Sequence, residues 1–344
     1  MASGIYPLAG SSIVIENLAA QLCKTGVEVT IGALVFKRTP PNGSYNVATI
    51  PMGNALKLGR FLEKFDVIHN HHPPTNYLAL LTNRSFIYHY HGAPDFGFGY
   101  LYRFSMLSSI RMTRHRFDAV IAVSESGRNE CERYFNRNKI HVIYNGVDTN
   151  LFKPELEEIF RKGTPQFLFV GNLFAYKRVE ELVLAFKKLI RVHPNAYLQI
   201  VGAGELYMKL YVLVKELGLS NQVELLGRVS SEELPYFFSS CDVYVTASRW
   251  ELFGLPLLEA MACGKPVVAT SIPTHLELLI KSKAGITYTK GNIGDLCNKM
   301  IKTYEERDKY KNNALKFAKE HDWSVVADEV SKIYSACANL VRTH

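Results

Sequence analysis

The segment from Ala247 to Ala262, ASRWELFGLPLLEAMA, concentrates the groups best suited to chemistry. It follows a β-rich run at 242–246 and opens a helix, with Pro256 suited to the first helical turn and Gly264 to the stop. Glu251 is thereby expected in a loop at the carboxyl end of a strand. Glu259, eight residues on, falls early in the helix, where it can face the same cleft. Two carboxylates so spaced can accept hydrogen bonds from sugar hydroxyls or stabilise a developing positive charge. Between them Phe253, Gly254 and Leu255 bring backbone N–H groups to a helix N-terminus, a natural contact for phosphate or sugar oxygens. Glu259 has a plainer alternative, interaction with its own helix dipole; Glu251, in a loop, has none. His91 closes another strand in the run HYHG. A neutral imidazole with a pKa near ~6.5 can take a proton or donate to a sugar hydroxyl there, and the alternative is a satisfied structural histidine.

The elements that must position these groups alternate along the chain. Strands are expected at 27–35, 45–50, 66–71, 86–91, 118–123 and 140–144, and again at 166–171, 197–202, 223–226, 242–246, 266–270 and 285–287. Runs with helical apolar spacing lie between them, including 12–24, 128–135, 179–191, 206–217, 232–239, 256–263 and 293–306. Such alternation implies α/β architecture, with parallel sheets covered by helices. Two sheets of similar size predict two Rossmann-like, doubly wound domains, at 1–150 and 164–322. An Asn-Gly turn, a short acidic helix at 155–161 and Gly163-Thr164-Pro165 interrupt the pattern between them. If the two domains face a cleft, the ligand site is expected there, outside the carboxyl ends of the strands.

Several function classes drop out. No apolar run reaches the ~18–20 residues of a membrane span, and the opening residues show neither a basic start nor a long apolar stretch. The six cysteines are far apart with no CxxC pair, which argues against a zinc ribbon and for a reducing compartment, so a cytoplasmic protein is expected. No G-x-x-x-x-G-K-[ST] loop or G-x-S-x-G elbow is present, and Gly202-Ala203-Gly204-Glu205 lacks the third glycine of a dinucleotide fingerprint. His69, His71 and His72 are close, but His72 falls on the opposite strand face and no acidic residue or cysteine sits nearby, so no metal is expected. The net charge is +8, and residues 1–150 hold 15 Lys and Arg against 10 Asp and Glu. That excess suits an anionic partner or is a solvated face; no nucleic-acid motif accompanies it.

The pair of glutamates in SRWELFGLPLLEAMACGKPVVAT resembles the signature of glycosyltransferase family 4, retaining enzymes of GT-B fold. GIYPLAGSSIVIENLAAQLCKTGVEV, DVIHNHHPP, HYHG, NGVDTNLFKP, FLFVGNLFAYKRVEELVLAF, LQIVGAGE and LLGRVSSEEL follow in family order over nearly the whole chain. The resemblance implies that Glu259 holds the donor ribose, Glu251 the donor sugar and Lys177 the diphosphate, where a cation offsets charge on the leaving group. Arg178 stands where the family has glycine and would add a second cation. Asn172 stands where the family has arginine, a gap in the phosphate clamp. Gly10 and Ser11 (usually a glycine pair) would bring N–H groups to the phosphates, Gly171 and Gly202 would border the donor, and backbone at Arg228 and Val229 would meet the nucleobase. His91 matches the family's histidine near the reaction centre.

The reaction implied is transfer of a hexose from a nucleotide diphosphate sugar to a lipid-linked or glycan acceptor, with no cofactor and no metal. The chain has no D-x-D triplet, with which metal-dependent transferases of the other main fold hold their cation. A sugar-nucleotide epimerase of the same fold and a non-catalytic sugar-nucleotide-binding protein are the alternatives. Residues 96–116 interleave aromatics with Arg103, Arg111, Arg114 and Arg116. On a helix, Leu101, Phe104, Leu107 or Ser108, and Arg111 form a mixed stripe that either lies on an anionic membrane surface or belongs to a core helix with exposed arginines. The helical stretch 323–344 is expected to pack back on the first domain. Only six residues precede Pro7, so the first strand is expected to be stunted and the native chain to start upstream of Met1.

Overall fold

Parallel strands with short intervening helices make up both halves of the chain in a computed structural model, which describes residues 2–6, 10–36, 44–51, 55–92 and 100–341. The chain divides into two units, residues 1–146 with 323–344, and residues 147–322.

In the first unit the described elements run β1 (Ala2–Tyr6), α1 (Gly10–Lys24), β2 (Thr30–Phe36), β3 (Asn46–Thr49), α2 (Ala55–Leu62), β4 (Val67–Asn70), a 3₁₀ segment (Pro73–Leu80), β5 (Ser85–Tyr90), α3 (Tyr100–Thr113), β6 (Ala119–Ala122), α4 (Glu125–Cys131) and β7 (Ile140–Val142). The sheet order is β3-β2-β1-β4-β5-β6-β7, all parallel. β1 has five residues and meets β4 only at Ala2 opposite Asn70. All six residues of β5 and all four of β6 are buried; β6 is an unbroken apolar run, AVIA, whereas β5 carries Ser85 and His89 among its apolar residues.

The second unit runs β8 (Gln166–Val170), α5 (Val179–Leu189), β9 (Tyr197–Val201), α6 (Tyr207–Glu216), β10 (Val223–Gly227), α7 (Leu234–Ser240), β11 (Val243–Thr246), α8 (Leu255–Ala262), β12 (Val267–Thr270), α9 (Pro273–Ser282), β13 (Gly285–Tyr288), α10 (Ile293–Glu305) and α11 (Arg307–Glu320). The strands order β10-β9-β8-β11-β12-β13, again parallel. Phe167, Phe169, Leu198, Ile200, Val243 and Val245 pack with the apolar face of α5 in one buried core. The last helix, α12 (Trp323–Val341), returns to the first unit. There Gly146 leaves room for the Trp323 ring, and the Ser85 hydroxyl donates to the Cys337 carbonyl at 2.9 Å.

Two local expectations are corrected. Residues 155–161 form no helix: the Phe160 N–H is taken by Ser240 Oγ, Ser239 Oγ donates to the Leu156 carbonyl, and Arg161 is drawn to Asp242. The helix expected at 128–135 is α4, which starts earlier because Ser124 caps it, accepting from the Gly127 N–H at 2.9 Å. Helices α2, α9 and α11 were not anticipated by apolar spacing.

Gly202 is where backbones approach most closely: a Cβ there would lie 1.8 Å from the Gly171 carbonyl oxygen. Gly218, also at positive φ (+66°), faces open space. Gly202→Ala is therefore expected to cost more than 2 kcal/mol, on the order of a severe packing clash, and Gly218→Ala only about 1 kcal/mol. Urea unfolding of the two variants checks the ranking.

Candidate active site

In the second unit the chain proceeds outward from β8 through β9 to β10, and on the other side from β11 through β12 to β13. β8 and β11 are neighbours, so the loops leaving their carboxyl ends part at the topological switch point and open a crevice. The first loop, 171–178, contains a 3₁₀ turn, Ala175–Lys177; the second, 247–254, leads into α8. They are tied together by the Arg249 N–H, which donates to the Tyr176 carbonyl at 2.8 Å, and by edge-to-face contact of the Tyr176 and Trp250 rings.

Across this crevice the Lys177 ammonium donates to a Glu251 carboxylate oxygen, with the two side chains only 13% and 14% exposed. Burial opposes the ammonium charge, but the Glu251 carboxylate and Tyr176 outweigh it, so the pKa of Lys177 is raised. Thr274 Oγ1 anchors the same loop by donating to the Glu251 carbonyl at 2.7 Å. Beside it His275 is fully buried, bonded through Nδ1 to the Thr270 carbonyl at 3.0 Å, and burial pushes its pKa down to about 4, which keeps it neutral. Sequence reasoning missed Thr274 and His275. Their only signal was position, just past the carboxyl end of β12 at the start of α9.

Glu259 lies in the second turn of α8 and is buried. It is not placed to cap the helix dipole, which acts mainly within the first turn. Burial pushes its pKa up to about 7. Gly254, at φ +86°, sets the chain into α8, and Leu255 is the first helical residue, directly after Phe253-Gly254.

Arg178 departs from expectation. It sits in the left-handed region (φ +51°) immediately before α5, a conformation natural to glycine, and its guanidinium is committed to Glu181 at 2.9 Å and Glu180 at 3.0 Å. Glu181 also pairs with Arg249. The second cation expected on the diphosphate is thus tied to the first turn of α5. Gly171 and Gly202 join strand ends: their N–H groups donate to the Val201 and Gly227 carbonyls at 3.0 and 2.7 Å. Asn172 is half-buried, its carbonyl accepting from the Phe174 N–H. Arg228 is exposed and Val229 half-buried, just past β10.

In the first unit the switch point lies between β1 and β4. Gly10 and Ser11 begin α1, the next described element after β1, Gly10 exposed and Ser11 half-buried. His91 follows β5, and its Nε2 lies 3.0 Å from His71 Nδ1. Burial pushes the His91 pKa down to about 3, so the ring is neutral at physiological pH.

On α3, Met106, Ser109, Ile110 and Thr113 are buried, whereas Phe104, Leu107, Arg111, Met112 and Arg114 face solvent. Arg116 turns inward and donates to the carbonyls of Ala79 and Thr82. Residues 96–99 of the stretch singled out by sequence lie outside the described residues, as do the side chains of Leu101 and Arg103.

Two parallel doubly wound sheets, one with carboxylates and a lysine at its switch point, define an α/β protein with a polar crevice at the strand ends, and comparison with known proteins gives its family. The family profile described as "Glycosyltransferase Family 4" matches residues 8–151, and that described as "Glycosyl transferases group 1" matches 153–321. An uncharacterised glycosyltransferase of Methanocaldococcus jannaschii is 29% identical over 97% of both chains. A phosphatidyl-myo-inositol mannosyltransferase of Propionibacterium freudenreichii is 29% identical over 86% of this chain and 77% of its own. Among solved structures, Anabaena HepE in complex with UDP and glucose superposes with a TM-score of 0.77 at 20% identity, covering 97% and 98% of the two chains. The chain belongs to the family 4 glycosyltransferases, of GT-B fold.

The raised pKa of Glu259 has a measurable consequence. The folded state keeps a proton that the unfolded chain, with a pKa near 4.5, releases, so stability is lost as pH rises from about 4.5 through about 7. Relative to wild type, Glu259→Gln is expected to gain about 3 kcal/mol between pH 4 and pH 8, at ~1.4 kcal/mol per pKa unit. Urea unfolding at both pH values checks this; an equal effect at the two would contradict it.

Proposed function

We propose that the protein is a retaining, metal-independent hexosyltransferase that moves a hexose from a nucleoside diphosphate sugar to a hydroxyl of a lipid-linked or glycan acceptor. The observation that carries this reading is the Lys177–Glu251 pair at the β8/β11 switch point, with buried Glu259 one helix turn into α8. Lys177 is the cation for the diphosphate. As phosphate charge draws the ammonium away, Glu251 is released to accept hydrogen bonds from the hexose. Glu259 accepts from the ribose hydroxyls, which favour its ionised form, and the N–H groups opening α8 face phosphate or sugar oxygens. A uridine nucleotide is supported by the UDP and UDP-glucose complexes of HepE, and a lipid-linked acceptor by the phosphatidyl-myo-inositol mannosyltransferase.

In the transfer step the bond from the anomeric carbon to the β-phosphate oxygen breaks, and its electron pair stays on the phosphate. The acceptor oxygen bonds to the same face of the carbon, and its proton passes to the departing phosphate. Lys177 and the α8 dipole stabilise the growing negative charge without a metal. His91, in the first unit, is neutral and can donate to or accept from a sugar hydroxyl. Gly10 and Ser11, opening α1, supply N–H groups for phosphate, and Arg228 with Val229 supply backbone for the base.

The exposed Phe104, Leu107 and Met112 on α3, flanked by Arg111 and Arg114, suit contact with an anionic membrane, apolar rings in the interface and arginines at the head groups. No described helix is long and apolar enough to cross a membrane, and the exposed face of α3 supports a peripheral placement on the cytoplasmic side.

A thermal-shift panel of UDP-, GDP- and ADP-sugars, repeated with chelator, tests the proposal. One donor at 100 times its Kd is expected to stabilise the protein by about 2.7 kcal/mol. The shift should survive chelator and disappear in Glu259→Ala, and the product of that donor should keep the anomeric configuration. Loss of the shift with chelator, or an inverted product, would contradict the reading.

A further inference from the structure

Four histidines of the first unit cluster at the carboxyl ends of two adjacent strands, His69 in β4 and His89 in β5, with His71 and His91 just past them. β4 and β5 are parallel, with His69 opposite Ile87 and Asn70 opposite Tyr88. Side chains alternate along a strand, so His69, His71, His89 and His91 project to the same side of the sheet. Their rings crowd together: centroids are 4.4 Å apart for His69–His71, 4.8 Å for His71–His89, 5.2 Å for His69–His89 and 4.5 Å for His89–His91. His69, His71 and His89 are each at most 2% exposed.

Hydrogen bonding leaves this cluster incomplete. Nε2 of His69, Nε2 of His71 and both ring nitrogens of His89 are buried without a partner. Each such atom costs about 1–3 kcal/mol when left unsatisfied, and four in one cluster ask for a common partner. The remaining nitrogens have theirs: His69 Nδ1 is 2.7 Å from the Tyr334 hydroxyl on α12, and His71 Nδ1 is 3.0 Å from His91 Nε2. If each Nδ1 carries the proton, both Nε2 lone pairs are free, the arrangement that outer hydrogen bonds impose on metal-binding histidines. Burial depresses the pKa of all three, so the rings are neutral at pH 7.

We propose that His69, His71 and His89 form a binding site for a divalent transition-metal ion of the zinc class. One ring nitrogen from each lies within 4.8 Å of the others. Zinc–nitrogen bonds of ~2.0–2.1 Å in a tetrahedron bring such atoms to roughly 3.3 Å, so the rings turn inward from their stacked arrangement on binding. Three neutral imidazoles suit zinc, cobalt, nickel or copper, and not the hard ions that accompany diphosphates. This site is separate from the donor groups of the second unit and departs from the expectation of no metal. That expectation weighed His69, His71 and His72 along one stretch of chain, whereas the third ligand comes from the neighbouring strand. On the function proposed above, the ion is structural and takes no part in holding the donor: it ties β4 to β5 beside the His71–His91 hydrogen bond.

The test uses tag-free protein, stripped with chelator and titrated with Co²⁺ under reducing conditions, and needs neither donor nor activity. One equivalent is expected to bind, with visible d–d absorption and no thiolate-to-cobalt charge-transfer band, and Zn²⁺ is expected to displace it. His89→Gln should weaken binding by about a hundredfold or more, while His193→Gln, in the second unit, should not. Substoichiometric uptake by wild type, a thiolate band, or unchanged binding in a folded His89→Gln variant would overturn the proposal. If that variant fails to fold, wild-type stoichiometry and the spectrum decide.

Discussion

A lysine and a glutamate held nearly out of water at the ends of two neighbouring strands are the constraint on which the second unit turns. Desolvating two charges is expensive, and a buried pair often adds little net stability, yet removing one partner costs about 3–5 kcal/mol because the other charge is stranded. Much of the local architecture serves to hold Lys177 and Glu251 together. Arg178 is fixed in the left-handed region by Glu180 and Glu181, which sets the end of the lysine loop. Arg249 and Thr274 fasten the glutamate loop through the Tyr176 carbonyl and the Glu251 carbonyl. Such a pair is better explained as preorganised chemistry than as a staple. Its cation already sits in a water-poor site, where on the proposed function it would act on a diphosphate more strongly than in solvent.

Parallel sheets make this possible. Every strand of such a sheet delivers its carboxyl end to the same edge, and the reversal of strand order opens a crevice between two of those ends. In the second unit the reversal falls between β8 and β11, and in the first between β1 and β4. The chemistry at the two edges differs. One carries carboxylates and a protonated lysine, with Glu259 pushed up to about 7 by burial. The other carries imidazoles that burial keeps uncharged. Neutral imidazole nitrogens without partners at one edge, and a carboxylate with a cation partner at the other, are why the two occupants proposed above differ, a metal ion and a sugar nucleotide.

Much of this was legible in the sequence where local rules suffice. Alternating apolar runs located most strands to within two or three residues, and Pro256 with Gly264 bracketed α8 closely enough to put Glu251 in a loop and Glu259 inside the helix. The failures share a cause. Lys177 and Glu251 are 74 residues apart, and nothing local shows that one neutralises the other. Arg178 looked like a free cation, because its partners depend on a backbone dihedral that spacing does not reveal. The missing helix at 155–161 reflects long-range competition from Ser239, Ser240 and Asp242. The histidine cluster needed the register of β4 against β5, which turns two separate short motifs into one face.

The most direct test of the central claim is calorimetric titration of the nucleoside diphosphate released by the preferred donor, into wild type and into Lys177→Met with Glu251→Gln. The double variant removes both charges together, so no stranded partner confuses the comparison. If the pair is the diphosphate and sugar site, affinity should fall by at least tenfold, equivalent to about 1.4 kcal/mol, with the fold intact by circular dichroism. Unchanged affinity would mean that the diphosphate binds elsewhere and that the ion pair serves structure alone.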